Sequence, residues 1–367
     1  MLIIPPGNPI LFNRLFAKEL IIMIDSVKVM LDNSGMEFTY RCDDRMLWSD
    51  TARQVPYLPV VYSHESIDYQ FCYQVGHGGE WHDMSIVITW SNKPVAIWPL
   101  SVAVKDGRPK IDSQGLPLLP PLFVADCPAT SRKKISKLCF ELAKNIAAHV
   151  GVDSWCSNES FIQEWGMSDW HVEAMQHGAG SSMQHEVYVD LSPDLSGIKA
   201  HFRKRYKSLI NTGLRMWTVK LLDSDDKKIW QQFRDLHFMV AGRKTRSDES
   251  WDIQLEHIAN KSAFLIYLTD DKDTMVGGGL FYQTKDEGLY AVGAYDRSLF
   301  DKPIGHVVQH RAIEEFKKRG VRWYKVGLRP YATDTPQPTE KEVSIAEFKH
   351  GFASHVFPLY KLHFEQD

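Results

Sequence analysis

The sequence predicts an α/β (α+β) protein of two similar units, each a mixed, largely antiparallel sheet flanked by helices. Three observations carry this prediction. Short apolar runs rich in β-branched and aromatic residues alternate with segments whose apolar residues recur at helical spacing. Both halves place a hairpin before a helix that ends in glycine, a weak duplication with no short tandem repeat. The chain of 367 residues is long enough for two domains of ordinary size with large cores.

Composition narrows the function. Hydrophobic residues make up 44% and charged residues 24%, the profile of a soluble globular protein. The formal charge of −3, from 43 basic and 46 acidic side chains, is too balanced for a general nucleic-acid binder. Cys42, Cys72, Cys127, Cys139 and Cys156 are scattered without a C-x-x-C pair, which reads as reduced thiols and not as a disulfide framework or zinc site. Met1-Leu-Ile-Ile-Pro-Pro6 lacks a basic leader. Leu20-Ile-Ile-Met-Ile24 is too short for a membrane span and is flanked by Lys18, Glu19 and Asp25, so a cytoplasmic location is expected.

Residues 1–45 form an N-terminal extension of unclear role, and the first unit is placed at 46–185, opening near Leu47-Trp-Ser-Asp50. Ser85-Ile-Val-Ile-Thr-Trp90 and Pro94-Val-Ala-Ile-Trp-Pro-Leu100 read as a hairpin around Ser91-Asn-Lys. The prolines of Gly115-Leu-Pro-Leu-Leu-Pro-Pro-Leu122 exclude a regular helix or central strand. Ser131 is placed to cap a helix carrying Ile135, Leu138, Leu142, Ile146 and Val150, which Gly151 ends. Gly76-His-Gly-Gly-Glu-Trp-His82 has neither a strand–helix phosphate context nor metal-ligand spacing and reads as a turn. No G-x-S-x-G signals a serine triad.

The second unit is placed at 186–367 and opens with the strand Glu186-Val-Tyr-Val-Asp190, followed by the turn and capping run Asp190-Leu-Ser-Pro-Asp194. One helix then carries Phe202, Tyr206, Leu209 and Ile210 with basic residues interleaved. Trp217-Thr-Val-Lys-Leu-Leu222 is strand-like and residues 229–241 are helical. Residues 263–268, 275–282 and 288–295 form successive antiparallel strands. A helix over 304–319 and a strand at 323–327 complete the pattern.

The series of a helix ending Glu314-Glu-Phe-Lys-Lys-Arg-Gly320, the strand Trp323-Tyr-Lys-Val-Gly327, a polar loop and Ser344-Ile-Ala-Glu-Phe-Lys-His-Gly-Phe352 resembles the C-terminal half of the FemAB-type (Fem-like) acyl- and aminoacyltransferases. The resemblance covers residues 186–367, and more loosely 47–160 through Val95-Ala-Ile-Trp-Pro-Leu100 and Gly115-Leu-Pro-Leu-Leu-Pro-Pro121. It implies two tandem GNAT-like domains, the second catalytic, and transfer of an acyl group onto an amine.

GNAT folds bind the donor where a splayed strand meets the N-terminus of the next helix, whose unpaired N–H groups and dipole favour an anion. That place falls at Ala294–His306, with Arg297 and Lys302 supplying charge, Gly305 close approach, and His306 the last donor-binding position. The usual acetyl-CoA loop, Gln/Arg-x-x-Gly-x-Gly/Ala, is absent. Through the resemblance, Lys349 is expected to stabilise the oxyanion and Phe348 to exclude water. Asp296 is the candidate base, with the Tyr295 hydroxyl as an alternative polarising group, while His306 and His310 also fit packing positions. Arg203, Arg205 and Lys207 match the family's basic helix and suit phosphate on tRNA or a nucleotide-sugar acceptor. The plain alternatives are a loop entering an ordinary helix, a solvated strand lysine at 349 and a solvated charged face at 203–207.

The expected donor is acyl-CoA or aminoacyl-tRNA, with no metal. The expected acceptor is an amino sugar, nucleotide sugar or peptide precursor in cell-surface polysaccharide biosynthesis, with tRNA and a second copy of the chain as further partners. Two other functions fit the same residues: an aminoacyl-tRNA-dependent peptidoglycan-bridge transferase, and a non-catalytic GNAT-like binding protein. Residues 211–262 leave no room for the long helical hairpin that some Fem-type enzymes insert.

Overall fold

The computed structural model describes residues 9–160 and 167–365, so Met1–Pro6 lies outside the described residues. The first half runs α1 (Pro9–Asp32), β1 (Glu37–Tyr40), α2 (Arg45–Gln54), α3 (His64–Gly76), β2 (Glu80–Asp83), β3 (Ile86–Trp90), β4 (Lys93–Trp98), β5 (Ser101–Lys105), β6 (Arg108–Asp112), β7 (Leu122–Phe123), α4 (Ala129–Val150) and β8 (Ser154–Ser160). The chain continues with α5 (Asp169–Gln176), β9 (Gly180–Asp190), α6 (Leu195–Ala200), α7 (Lys204–Met216), β10 (Thr218–Leu222), α8 (Lys227–Ala241), α9 (Asp248–Ala259) and β11 (Ala263–Thr269). It ends with β12 (Met275–Gln283), β13 (Glu287–Tyr295), α10 (Ile304–Lys318), β14 (Trp323–Leu328), α11 (Glu340–His350) and β15 (His355–Glu365).

These strands form three sheets: β1-β3-β4-β7, β2-β5-β6, and a larger sheet ordered β10-β11-β12-β13-β14-β9-β15-β8. The predicted α+β class and the hairpin of β3 and β4 are present. Ser91 and Asn92 both take positive φ there (53° and 61°), the backbone a two-residue hairpin requires.

The structure corrects several readings. The helix expected to be capped by Ser131 is capped three residues earlier, at Pro128, whose carbonyl accepts from Arg132 N–H at 2.9 Å. Gly151 ends it at φ 74° as expected. The single helix expected to carry Phe202 to Ile210 is two helices, α6 and α7, broken at His201–Arg203. Arg203 N–H there donates to Gly351 O at 2.8 Å, so the break is held by the segment following α11. Lys349 is not a strand residue: Phe348 and Lys349 lie in the last turn of α11, which opens on a Thr339–Glu342 capping box.

The last strand and the turn before β13 tie the halves together, the strand through a core that α1 completes. In α1, Ile24, Val27 and Leu31 are buried in the first core beside Ile86, Trp98 and Phe140. The last strand, β15, pairs with both β9 and β8 and sends Leu362 and Phe364 into that same core. Its Pro358 falls where β8 does not reach, so the missing N–H breaks no ladder on that side. The turn before β13 also grips residues 55–60. The Glu287 carboxylate accepts from Tyr57 OH (2.8 Å) and Val60 N–H (3.0 Å), and Asp286 accepts from Leu58 N–H (2.8 Å).

What positions the site is the divergence of β13 from β14. They pair in parallel only at Glu287↔Trp323, Gly288↔Tyr324 and Leu289↔Lys325. Beyond Lys325, β14 carries a bulge against β9, and Gly327 adopts φ 140°. Glycine takes this conformation readily and L-residues do not. On the other side, Gly277 of β12 leaves room for Ile304, because a Cβ there would lie 2.8 Å from the Ile304 side chain. That seats the start of α10 on the sheet.

Candidate active site

Lys349 enters the opening between β13 and β14 from the end of α11. Its Nζ lies 5.5 Å from the centroid of the Tyr290 ring on β13. On the opposite side, a Cβ at Gly327 of β14 would come within 2.7 Å of that nitrogen. The bulged, side-chain-free Gly327 therefore makes the space that the ammonium occupies. No carboxylate pairs with Lys349 among the described residues, and burial lowers its pKa from the ordinary lysine value.

Tyr290 is fixed from below by its hydroxyl contact with Tyr295 OH at 3.0 Å. Burial raises both phenols, Tyr290 to about 12, with the contact to Tyr295 partly opposing it. Tyr324 of β14 donates to Gln309 Oε1 on α10, joining the two walls of the opening through buried polar contacts. Tyr295 thus reaches Lys349 through the Tyr290 ring.

Phe348 faces the other way and packs over the N-terminus of α10. A Cβ at Gly305 would lie 3.1 Å from Phe348 Cζ, so glycine is what allows this close approach. His306 stands edge-on to both Tyr206 (4.5 Å) and Phe348 (5.0 Å). Burial, with Arg205 nearby, pushes its pKa down to about 4, so it is neutral at neutral pH. Tyr206 OH donates to Phe348 O at 3.1 Å, and Arg203 lies over the Tyr206 ring at 5.6 Å. No side chain caps α10. Its first turn is therefore walled by Phe348 and His306, with Arg203 and Arg205 beside Tyr206.

The structure thus brings Lys349, Phe348, Tyr295, Gly305, His306, Arg203 and Arg205 into one neighbourhood. The remaining predicted positions stand apart from Lys349. The Asp296 carboxylate accepts from Ser298 N–H (2.9 Å) and Ser298 OH (2.8 Å), capping a short turn. Lys302 pairs with Asp301 at 2.8 Å. Arg297 and Lys207 are exposed. Among the described residues, no hydrogen bond or ion pair joins any of these four to Lys349. His310 is buried on α10 against Glu314 at 3.2 Å, a packing position.

Sequence reasoning missed Gly327, Tyr290 and the buried pair of Lys325 with Glu186. A glycine at the end of an apolar strand run is a bulge signal, and opposite charges inside two short strands signal a buried pair. Burial alone would depress Lys325, but Glu186 and Glu287 outweigh it and raise its pKa. This pair borders a cavity of 690 Å³ between the halves, lined also by Tyr57, Tyr62, Glu159 and Leu359. Among the described residues, no group of three or more His, Cys, Asp or Glu is placed to hold a metal ion, and no helix is long and apolar enough to cross a membrane.

No family model matches the sequence, and no curated protein matches it. Solved structures do. FemX superposes with a TM-score of 0.64 at 12% identity, covering 89% of this chain and 97% of FemX. L-PGS from Bacillus licheniformis gives 0.52 at 14%, covering 78% and 85%. A tandem GNAT protein from the clavulanic acid biosynthesis pathway, solved without AcCoA, gives 0.50 at 13%, covering 90% and 98%. At such identities the likeness is one of fold: the chain carries the FemAB-like tandem GNAT fold.

Proposed function

We propose that the chain is an N-acyltransferase that joins an activated acyl or aminoacyl group to the amine of an amino sugar or peptide precursor of a cell-surface glycan. The observation that carries this reading is Lys349, which has no ion-pair partner among the described residues, held against Gly327 in the strand opening of a GNAT fold. In the reaction the acceptor nitrogen attacks the acyl carbon, forming the C–N bond. The tetrahedral oxyanion leans on the Lys349 ammonium. Collapse breaks the C–S or C–O bond to the donor, and the proton lost by the amine leaves with the thiol or hydroxyl. An ammonium placed where negative charge develops stabilises the transition state more than the ground state. Phe348 walls the first turn of α10, where the donor binds, from water, and the cavity beside Lys325 and Glu186 holds the acceptor.

A second reading makes aminoacyl-tRNA the donor. Its support is the position of Arg203 and Arg205 beside Tyr206, at the uncapped start of α10, where phosphate is favoured. Thermal shift with an acyl-CoA series and with charged and uncharged tRNA, at two salt concentrations, separates the donors. A rise with acyl-CoA establishes the thioester, and a salt-sensitive rise with charged tRNA alone establishes the aminoacyl ester. Silence with both favours a binding protein that performs no transfer. With the donor in hand, Lys349→Ala is expected to fold normally and lose about 10²–10³-fold in turnover. Turnover like that of the wild type would remove Lys349 from the chemistry.

A further inference from the structure

We propose that a second cavity, beside Lys349, is the pocket for the transferred acyl group, and that this group is larger than acetyl and carries an anionic end directed at Lys361. The inference rests on the acyl-transfer reading and names the substrate class of that site. The cavity measures 540 Å³, and Lys349, Leu328, Ser182, Ile345 and Lys361 are among the residues that line it. Pockets of about 300–1,000 Å³ accept whole drug-sized molecules, so an acetyl group would leave most of this one empty.

The sheet explains its placement. Side chains alternate along a strand, so Leu359, Lys361 and His363 of β15 share a face. Leu359 is registered with Gln184 of β9, and Lys361 with Ser182. Gln184 and Leu328 line both this cavity and the one beside Lys325. The two are therefore neighbouring stretches of one trough along the β9–β15 ladder. An acceptor amine in the first stretch and an acyl group in the second would meet beside Lys349.

The lining decides the chemistry. Its rim is apolar and unusually open: Met183 is 50% exposed, and Leu328 and Ile345 are each 46% exposed. The carboxylates of the lining are already engaged. Glu342 accepts from Thr339 N–H and OH (2.8 Å each), and Asp334 accepts from Tyr331 N–H (2.9 Å). His363 is taken up by Ser182 at 2.9 Å. Lys349 and Lys361, in contrast, form no ion pair among the described residues. One cation serves the reacting carbonyl, which leaves Lys361 to meet an anion at the far end of an apolar chain. The acyl group that fits is a dicarboxylic half-acid or an acidic aminoacyl group. Only its activated carbonyl reacts, so the anionic end passes unchanged into the product.

The test is calorimetric titration of the full chain with three N-butylamides: of acetic acid, of hexanoic acid and of adipic acid with its second carboxylate free. The adipic probe is expected to bind about tenfold tighter than the hexanoic one, with the acetic probe weakest. Lys361→Met should abolish the advantage of the carboxylate and leave hexanoic affinity unchanged. Equal binding of the adipic and hexanoic probes, or an advantage that survives Lys361→Met, would overturn the proposal. A glutamic acid α-butylamide, which adds an amino group to a free carboxylate, assigns the source: the tighter of the two anionic probes names it. Because the readout is binding, the two readings fail separately. The predicted probe pattern without turnover on any donor keeps the pocket and removes the transferase. Acetyl transfer as fast as adipoyl transfer, unaffected by Lys361→Met, keeps the transferase and removes the pocket.

Discussion

In the first half Arg41 is 4% exposed and paired with two carboxylates, Asp68 at 2.8 Å and Asp83 at 2.6 Å, with the His64 ring at 2.9 Å. In the second half Lys349 is half-buried, lies at the face of Tyr290 and the bare backbone of Gly327, and has no ion-pair partner among the described residues. Both cations have given up water, and a cation removed from water is stabilised mainly by paired charge. The first unit supplies that charge and gains a fixed scaffold. The second supplies none to Lys349 among the described residues, which is what the proposed oxyanion role requires. Two units of related architecture therefore differ in what their buried charge is for.

The largest expected difference between them appears in acid. His237, His257, His306 and His310 all lie in the second unit, and burial is the leading cause that pushes each down to about 4. Unfolded histidine titrates near 6.5, so these sites contribute full stability above that value. The contribution is lost as pH falls from about 6.5 to 4, where the unfolded chain takes up protons that the fold refuses. Asp68 behaves differently: burial would raise it, but His64 and Arg41 prevail and hold it near 2. Its stabilisation persists above the ordinary carboxylate value and goes only as pH drops from there toward 2. Hydrogen exchange, corrected for intrinsic rates, should show α8, α9 and α10 losing protection between pH 6.5 and 4 while β1 and α3 hold. Equal loss in both groups would break the comparison.

Next in size is Arg41→Met, which takes the buried cation from Asp83 and leaves Asp68 with Arg45 (3.3 Å) and His64 (3.1 Å). A loss of about 3 kcal/mol is expected in urea unfolding, with turnover per folded molecule unchanged. Unaltered stability would mean that the pairs contribute nothing net. Gly327→Ala follows at about 2 kcal/mol, because alanine at φ 140° is strained. The same Cβ would displace the Lys349 nitrogen, so kcat should fall about tenfold to a hundredfold while the donor KM holds. A variant that is destabilised yet keeps its kcat would show that Gly327 shapes the strand and not the site.

The legibility of the sequence follows the range of the interactions involved. The strands and helices of the second unit could be read because each run satisfies its own pattern, as in Ala263–Thr269, buried at every position. Gly151 marked a helix end through a local backbone need. β15 escaped because Pro358, Lys361 and His363 interrupt its pattern, and its place between β9 and β8 depends on partners far along the chain. The break between α6 and α7 escaped for the same reason, since Gly351 holds it. In the site, Phe348 and Lys349 were visible as a motif. The space that Lys349 occupies was not, because it arises from a bulge on β14 and a tyrosine on β13 that only the folded sheet brings together.

The smallest prediction concerns the sign of a stability change. If Lys349 is a cation kept without its counter-charge, replacing it with an apolar chain of similar length should relieve the fold. Lys349→Met is therefore expected to stabilise by about 1 kcal/mol while lowering turnover about 10²–10³-fold, as happens where a site trades stability for activity. The equivalent change at Arg41 has the opposite sign, because there the substitution removes the buried cation from Asp83 and weakens the pairing of Asp68. Chemical unfolding of the two methionine variants beside the wild type decides the matter. Opposite signs would establish that one unit uses its buried cation for structure and the other for chemistry. A destabilised Lys349→Met would mean that the contact with Tyr290 is itself structural, and the contrast between the units would disappear.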